Sequence, residues 1–181
     1  ACVDENSSAA YRIPTLALRF FNVYGSRHAL SNPYTGVAAI FMGRLRSGRT
    51  PLIFEDGEQS RDFIHVHDVA DSVVRAVEGS GPACEALNVC TGRPVTIREV
   101  AEVLASRLGL EIEPEVVGRY RTGDIRHCIG DPTLARERLG FEASVDFAEG
   151  LDELIEWSEE QEVRDRVDVS FAELERQGLV R

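Results

Sequence analysis

The run Thr15–Val23 (TLALRFFNV) is almost wholly apolar and rich in β-formers, a pattern that predicts a strand buried on both faces of a parallel sheet. Pro14 punctuates its start and Tyr24-Gly25 its end. After a polar loop containing Asn32-Pro33, Val37–Leu45 places apolar residues at helical spacing and stops at Ser47-Gly48. Two short strands are predicted at Pro51–Glu55 and Arg61–Val66, parted by the turn signal Asp56-Gly57. Asp68 is placed to cap a helix whose Val69, Val73 and Val77 share one face. Ala86–Val89 reads as a further short strand. Thr96 and Glu99 form a capping box for a helix with Ile97, Val100, Leu104 and Leu108 inward, ended by Gly109. Asp131-Pro132 opens a short helix, and Asp146 with Glu149 opens a longer one carrying Phe147, Leu151, Leu154, Ile155 and Trp157. A last amphipathic helix is predicted over Val169–Gln177.

Strands alternating with helices indicate an α/β fold. The early part nevertheless offers one strong strand, and a lone buried strand leaves its backbone groups unpaired. A partner segment is therefore expected, and the opening residues (ACVDENSS), which lack a strand and start with Ala, fit a chain whose beginning lies elsewhere.

Composition narrows the function. With 181 residues, 43% of them hydrophobic, the chain can bury one ordinary core, or a core plus a tail. A net charge of −11 argues against nucleic acid and anionic membrane as partners, for which a basic face would be expected. No apolar run reaches membrane-spanning length and no signal-peptide pattern is present, so a cytoplasmic protein is expected. Cys2, Cys84, Cys90 and Cys128 show no CxxC spacing, which predicts reduced, packed thiols. His65 and His67 stand at i, i+2, on one face of a strand, but no third ligand lies at a suggestive spacing, so no metal is expected.

Four segments carry a more specific signal: Leu18–Gly25 (LRFFNVYG), Asn32–Arg44 (NPYTGVAAIFMGR), Pro51–Ala70 (PLIFEDGEQSRDFIHVHDVA) and Arg121–Asp131 (RTGDIRHCIGD). Asn88–Arg93 (NVCTGR) supports them. In this order they resemble the nucleotide-sugar epimerases and dehydratases of the extended short-chain dehydrogenase/reductase family, notably those acting on UDP-glucose-type or dTDP-rhamnose-type sugars. The resemblance implies the C-terminal part of a Rossmann-like fold: the last parallel strand or strands, then a small α/β substrate-binding subdomain. Residues 1–25 would be the last Rossmann helix and strand, 26–164 the subdomain, and 165–181 a helical tail.

It also implies roles. Arg61 and Arg121 resemble the two guanidinium clamps on a diphosphate, a task suited to a planar, permanently charged group. Asp124 resembles a ribose-hydroxyl acceptor. Asn22, at the carboxyl end of the buried strand, and Asn32 resemble amides contacting phosphate or sugar oxygens. Leu52, Ile53 and Phe54 resemble the segment that holds the base, and Phe21 the residue beside a nicotinamide ring. Simple packing remains an equal reading for Phe21. Cys90 replaces a glycine of the common Asn-Val-Gly-Thr-Gly pattern.

The family's catalytic pair is a Tyr with a Lys four residues later, and it uses NAD. Here all 20 cationic residues are arginine, and Thr15, His28, Ala38 and Asp124 follow Tyr11, Tyr24, Tyr34 and Tyr120 at that spacing. There is no Gly-x-x-Gly-x-x-Gly either. No catalytic residue is therefore assigned. The expectation is a UDP- or dTDP-hexose-binding half of an NAD-dependent 4-epimerase, inactive alone and completed by a separate Rossmann half. The alternatives are a non-catalytic nucleotide-sugar-binding module and an inert gene remnant.

Overall fold

A computed structural model describes residues 15–30, 36–79, 85–120, 122–162, 165 and 167–180. Its architecture is mixed α/β with parallel pairing, as the alternation of patterns predicts. The long apolar run divides at Phe21 into β1 (Leu16–Phe20) and β2 (Asn22–Tyr24). β1 pairs in parallel with β5 (Glu85–Val89), from Leu16 opposite Glu85 to Phe20 opposite Val89. The expectation of a strand without a neighbour is thus corrected: β5 satisfies one edge of β1 from some 65 residues away.

β2 joins a different sheet. It pairs in parallel with β4 (Ser60–His65), Asn22 opposite Phe63 and Tyr24 opposite His65. β4 also takes β6 (Pro94–Thr96) antiparallel and β8 (His127–Cys128) in parallel. A third, two-stranded sheet pairs β3 (Leu52–Ile53) with β7 (Glu115–Val116). Strands β6 to β8 are two or three residues long, too short for a period-2 signal.

Among the described residues six helices pack around these strands: α1 (Val37–Arg46), α2 (Val66–Glu78), α3 (Ile97–Arg107), α4 (Thr133–Leu139), α5 (Phe147–Glu159) and α6 (Val167–Arg176). The capping expectations hold for α3 and α5. Thr96 accepts from the Glu99 N–H, and Asp146 accepts from the N–H groups of Ala148 and Glu149. The larger core gathers Tyr24, Phe41, Met42, Leu104, Leu151 and Leu154 from β2, α1, α3 and α5. Each buried side chain of this size contributes about 1.5–3 kcal/mol. A smaller core holds Ile64, Leu87, Val89, Ala135 and Phe141.

Helix α2 departs from expectation twice. His65, not Asp68, is its cap: the imidazole accepts from the His67 N–H. Asp68 instead turns inward and accepts from the Ser144 N–H and hydroxyl and the Val145 N–H, tying α2 to the segment before α5. The face expected to be buried is covered at Val69, which packs against the smaller core, but Val73 is 40% and Val77 79% exposed.

Candidate functional site

Strand β4 builds the site through its alternation. Arg61 points to one side and Asp62 to the other, where Asp62 is fully buried. Its carboxylate accepts four hydrogen bonds: from the Thr91 N–H and hydroxyl at 2.8 Å each, from the Gly92 N–H at 2.8 Å and from the Gly130 N–H at 3.2 Å. A buried charge is tolerable only when so satisfied. These bonds fasten the NVCTG segment and the β8–α4 loop to β4. Cys90, where the common pattern has glycine, lies fully buried against Gly130, so that a Cβ at Gly130 would collide with its sulfur. Burial, reinforced by the Asp62 charge, pushes the Cys90 thiol up to about 12.

On the other side the Arg61 guanidinium donates to the Ser60 carbonyl (2.9 Å), the Arg126 carbonyl (3.1 Å) and the Asp124 carboxylate (2.8 Å). Three bonds in one plane fix the orientation of this cation. Arg61 and Asp124 line a cavity of about 370 Å³ together with Asn22, Leu52 and Phe54. Five sequence-predicted residues from four separate stretches therefore meet around one space. Ile53 does not join them. It is fully buried in the larger core, because Leu52 and Phe54 flank it on the cavity side. Asn32 and Arg121 lie outside the described residues, so their placement is not part of this geometry.

Sequence reasoning missed other lining residues. Gln59 donates from Nε2 to the Phe54 carbonyl at 2.7 Å and so holds the aromatic segment. Helix α6 forms a wall with Val167, Ser170, Phe171 and Leu174, and the Phe171 ring lies 5.5 Å from that of Phe54. Arg44 anchors this wall by pairing with Asp168 at 2.6 Å and Asp165 at 3.4 Å. The only signal for α6 was its amphipathic pattern, which says nothing about what a helix covers.

A second cavity, about 570 Å³, adjoins the first, and Asn22 and Gly36 belong to both linings. Phe21 faces it, with Phe20, Asn88 and Cys128. Phe21 is thus a half-buried apolar face at the carboxyl end of β1, suited to a flat ring. Among the described residues no glycine-rich turn opens a helix to cradle a dinucleotide pyrophosphate.

With this geometry in hand, the chain can be compared with known proteins. The NAD dependent epimerase/dehydratase family matches residues 4–90. The chain is 33% identical over 150 residues to dTDP-L-rhamnose 4-epimerase of Burkholderia thailandensis, spanning 83% of this chain and 41% of that protein. It is 41% identical over 140 residues to UDP-glucose 4-epimerase of Mycolicibacterium smegmatis, spanning 75% of this chain and 42% of that one. Among solved structures, UDP-glucose 4-epimerase of Thermotoga maritima with UDP-glucose superposes with a TM-score of 0.76 at 36% identity, covering 84% of this chain and 48% of that one. UDP-N-acetylglucosamine 4-epimerase of Methanobrevibacter ruminantium, in complex with UDP-N-acetylmuramic acid, gives a TM-score of 0.81 at 31% identity, covering 87% and 50%. The chain spans about half the length of the relatives it matches.

Proposed function

The chain belongs to the NAD dependent epimerase/dehydratase family, and from that premise we propose that it is the nucleotide-sugar-binding part of a UDP- or dTDP-hexose 4-epimerase. The observation that carries this reading is the shared cavity of Asn22, Leu52, Phe54, Arg61 and Asp124. Each residue supplies what one part of a nucleoside diphosphate needs. The Arg61 guanidinium meets the diphosphate with fixed, charge-assisted donors. Asp124 accepts from ribose hydroxyls while holding Arg61 in place. Phe54 gives the base an aromatic face, and the Asn22 amide donates to phosphate or sugar oxygens at the boundary of the two cavities. Arg121 and Asn32 complete the diphosphate contacts in this proposal on the strength of their motifs.

Turnover is assigned elsewhere. The sequence contains no lysine, hence no Tyr-x-x-x-Lys pair, and no Gly-x-x-Gly-x-x-Gly. NAD, when bound by such a protein, supplies the hydride acceptor and donor. Among the described residues Phe21 fits a role toward it, as an apolar surface for the nicotinamide. A dinucleotide-binding half would supply the rest, and the exposed Phe20, Val73 and Val77 mark apolar surface available to it.

The test is ligand-linked stability. UDP, dTDP and their hexose derivatives should raise the melting temperature of the purified chain in proportion to the logarithm of concentration. Arg61→Gln should weaken that binding by about 1.5–3 kcal/mol, roughly ten- to a hundredfold. A folded chain with no shift at millimolar ligand defeats the proposal. A shift that survives Arg61→Gln unchanged defeats the site assignment. Either shift separates a ligand-binding chain from an inert remnant.

A further inference from the structure

At the corner where β4 runs into α2, away from the two cavities, three side chains converge without a role in the function proposed above. We propose that His65, His67 and Glu153 form a binding site for one divalent first-row transition-metal ion of the zinc class. His65 ends β4, His67 lies in the first turn of α2, and Glu153 projects from the middle of α5, so the site joins three elements.

The geometry suits an ion. The Glu153 Oε2 atom lies 3.5 Å from His65 Nε2 and 3.5 Å from His67 Nδ1, and the three donor atoms all fall within 4.8 Å of one another. In such a triangle the point equidistant from all three corners lies about 2.4 Å from each, or closer. Coordination distances of about 2.0–2.2 Å to imidazole nitrogen and carboxylate oxygen then require movements of a few tenths of an ångström. The two imidazole rings stand nearly perpendicular, 86° apart with centroids at 4.9 Å, so their lone pairs approach from different directions. Two imidazoles and one carboxylate are borderline ligands that select zinc, cobalt, nickel or iron(II) over magnesium or calcium. Three protein ligands leave a fourth position for water.

A second observation points to a missing ligand. The His65 side chain is 99% buried, taking its 1% exposure, yet its Nε2 has no hydrogen-bond partner. The 3.5 Å contact to Glu153 is not a hydrogen bond. A buried nitrogen aimed without a partner at a half-exposed carboxylate is costly, and an ion between them removes that cost. Binding through Nε2 moves the ring proton to Nδ1 and gives up the long 3.4 Å contact with the His67 N–H, a weak bond to lose. The expectation of no metal rested on the lack of a third ligand at a suggestive spacing, together with the structural role that the family resemblance implies for the first histidine. Glu153 is that ligand, brought in by folding.

The experiment uses the full chain, stripped with chelator and titrated with Co²⁺ and Zn²⁺. Wild type should take up one equivalent, Co²⁺ should give the visible d–d bands of a low-coordinate nitrogen and oxygen site, and Zn²⁺ should displace it. His67→Ala and Glu153→Gln, both at accessible positions, should each weaken binding about tenfold or more while circular dichroism stays native. His127→Ala, at a histidine that contacts Ser60 instead, should bind as wild type does. Absence of saturable uptake by wild type overturns the proposal, as does undiminished uptake by His67→Ala and Glu153→Gln. The nucleotide-induced stability shift should be the same in these variants as in wild type, so the two proposals fail separately.

Discussion

Replacing Asp62 by asparagine changes one atom in a side chain of unchanged shape, and its effect can be worked from the bonds around it. Oδ1 accepts from the Thr91 N–H and hydroxyl, Oδ2 from the N–H groups of Gly92 and Gly130. Asn keeps one oxygen and sets an NH₂ group against two N–H donors. The least damaging orientation keeps the Thr91 pair and turns the amide nitrogen toward Gly92 and Gly130. Two bonds to a charged acceptor are then lost, at about 1.5–3 kcal/mol each, and the site leaves buried donors facing one another. The expected loss is about 3–6 kcal/mol, a large share of the 5–15 kcal/mol typical of a domain. With a urea dependence near 2 kcal/mol per molar, the unfolding midpoint should fall by roughly 2 M. Trp157 fluorescence and circular dichroism would follow the transition. Thr91→Val, which removes the hydroxyl's bond to Asp62 and the bond it accepts from the Arg93 N–H, should cost about 1–2 kcal/mol and serves as the graded control. If Asp62→Asn costs less than about 1 kcal/mol, the carboxylate is not what fastens the 88–92 and 130 segments, and the account of the site's scaffold is wrong.

Two further outcomes follow from close packing and from charge. Gly150→Ala should destabilise by about 1–3 kcal/mol despite the better helix propensity of alanine, since a Cβ there would lie 2.5 Å from the Tyr24 hydroxyl and 2.8 Å from His65 Cδ2; a neutral or stabilising result in thermal unfolding refutes the tight approach of α5. Cys90 is held protonated in the fold up to about 12, from an ordinary value of 9.0, so its contribution is complete below pH 9 and declines as pH rises from there toward 12. Stability measured across that window should therefore fall less steeply in Cys90→Ala than in wild type, and an identical slope would remove Cys90 from the linkage.

The site was legible where motif and strand period agreed, and obscure elsewhere. Asn22, Leu52, Phe54, Arg61 and Asp124 each sit in a motif whose chemistry a nucleotide demands, and all five face one cavity. Ile53 came from the same motif, yet alternation along an extended chain sends it to the opposite side, a consequence readable from the period alone. Asp68 has the composition of a cap, but the helix starts earlier, at His65, and the carboxylate serves a loop that no local pattern identifies. Pairing at long sequence distance was invisible: β5 with β1, α6 against Phe54, and Glu153 beside two histidines depend on the whole fold. The open valines of α2 show the reverse limit, since an amphipathic pattern reveals that a face is apolar but not what covers it.

The division of labour along β4 has an evolutionary consequence. Odd and even positions of this strand do opposite work, so a point change at one position disturbs either the cavity lining or the buried scaffold, not both. A single inserted or deleted residue upstream in the strand would disturb both at once, presenting an acid to the cavity and thrusting a guanidinium into the interior. Length variation in this protein should accordingly be confined to the connecting loops.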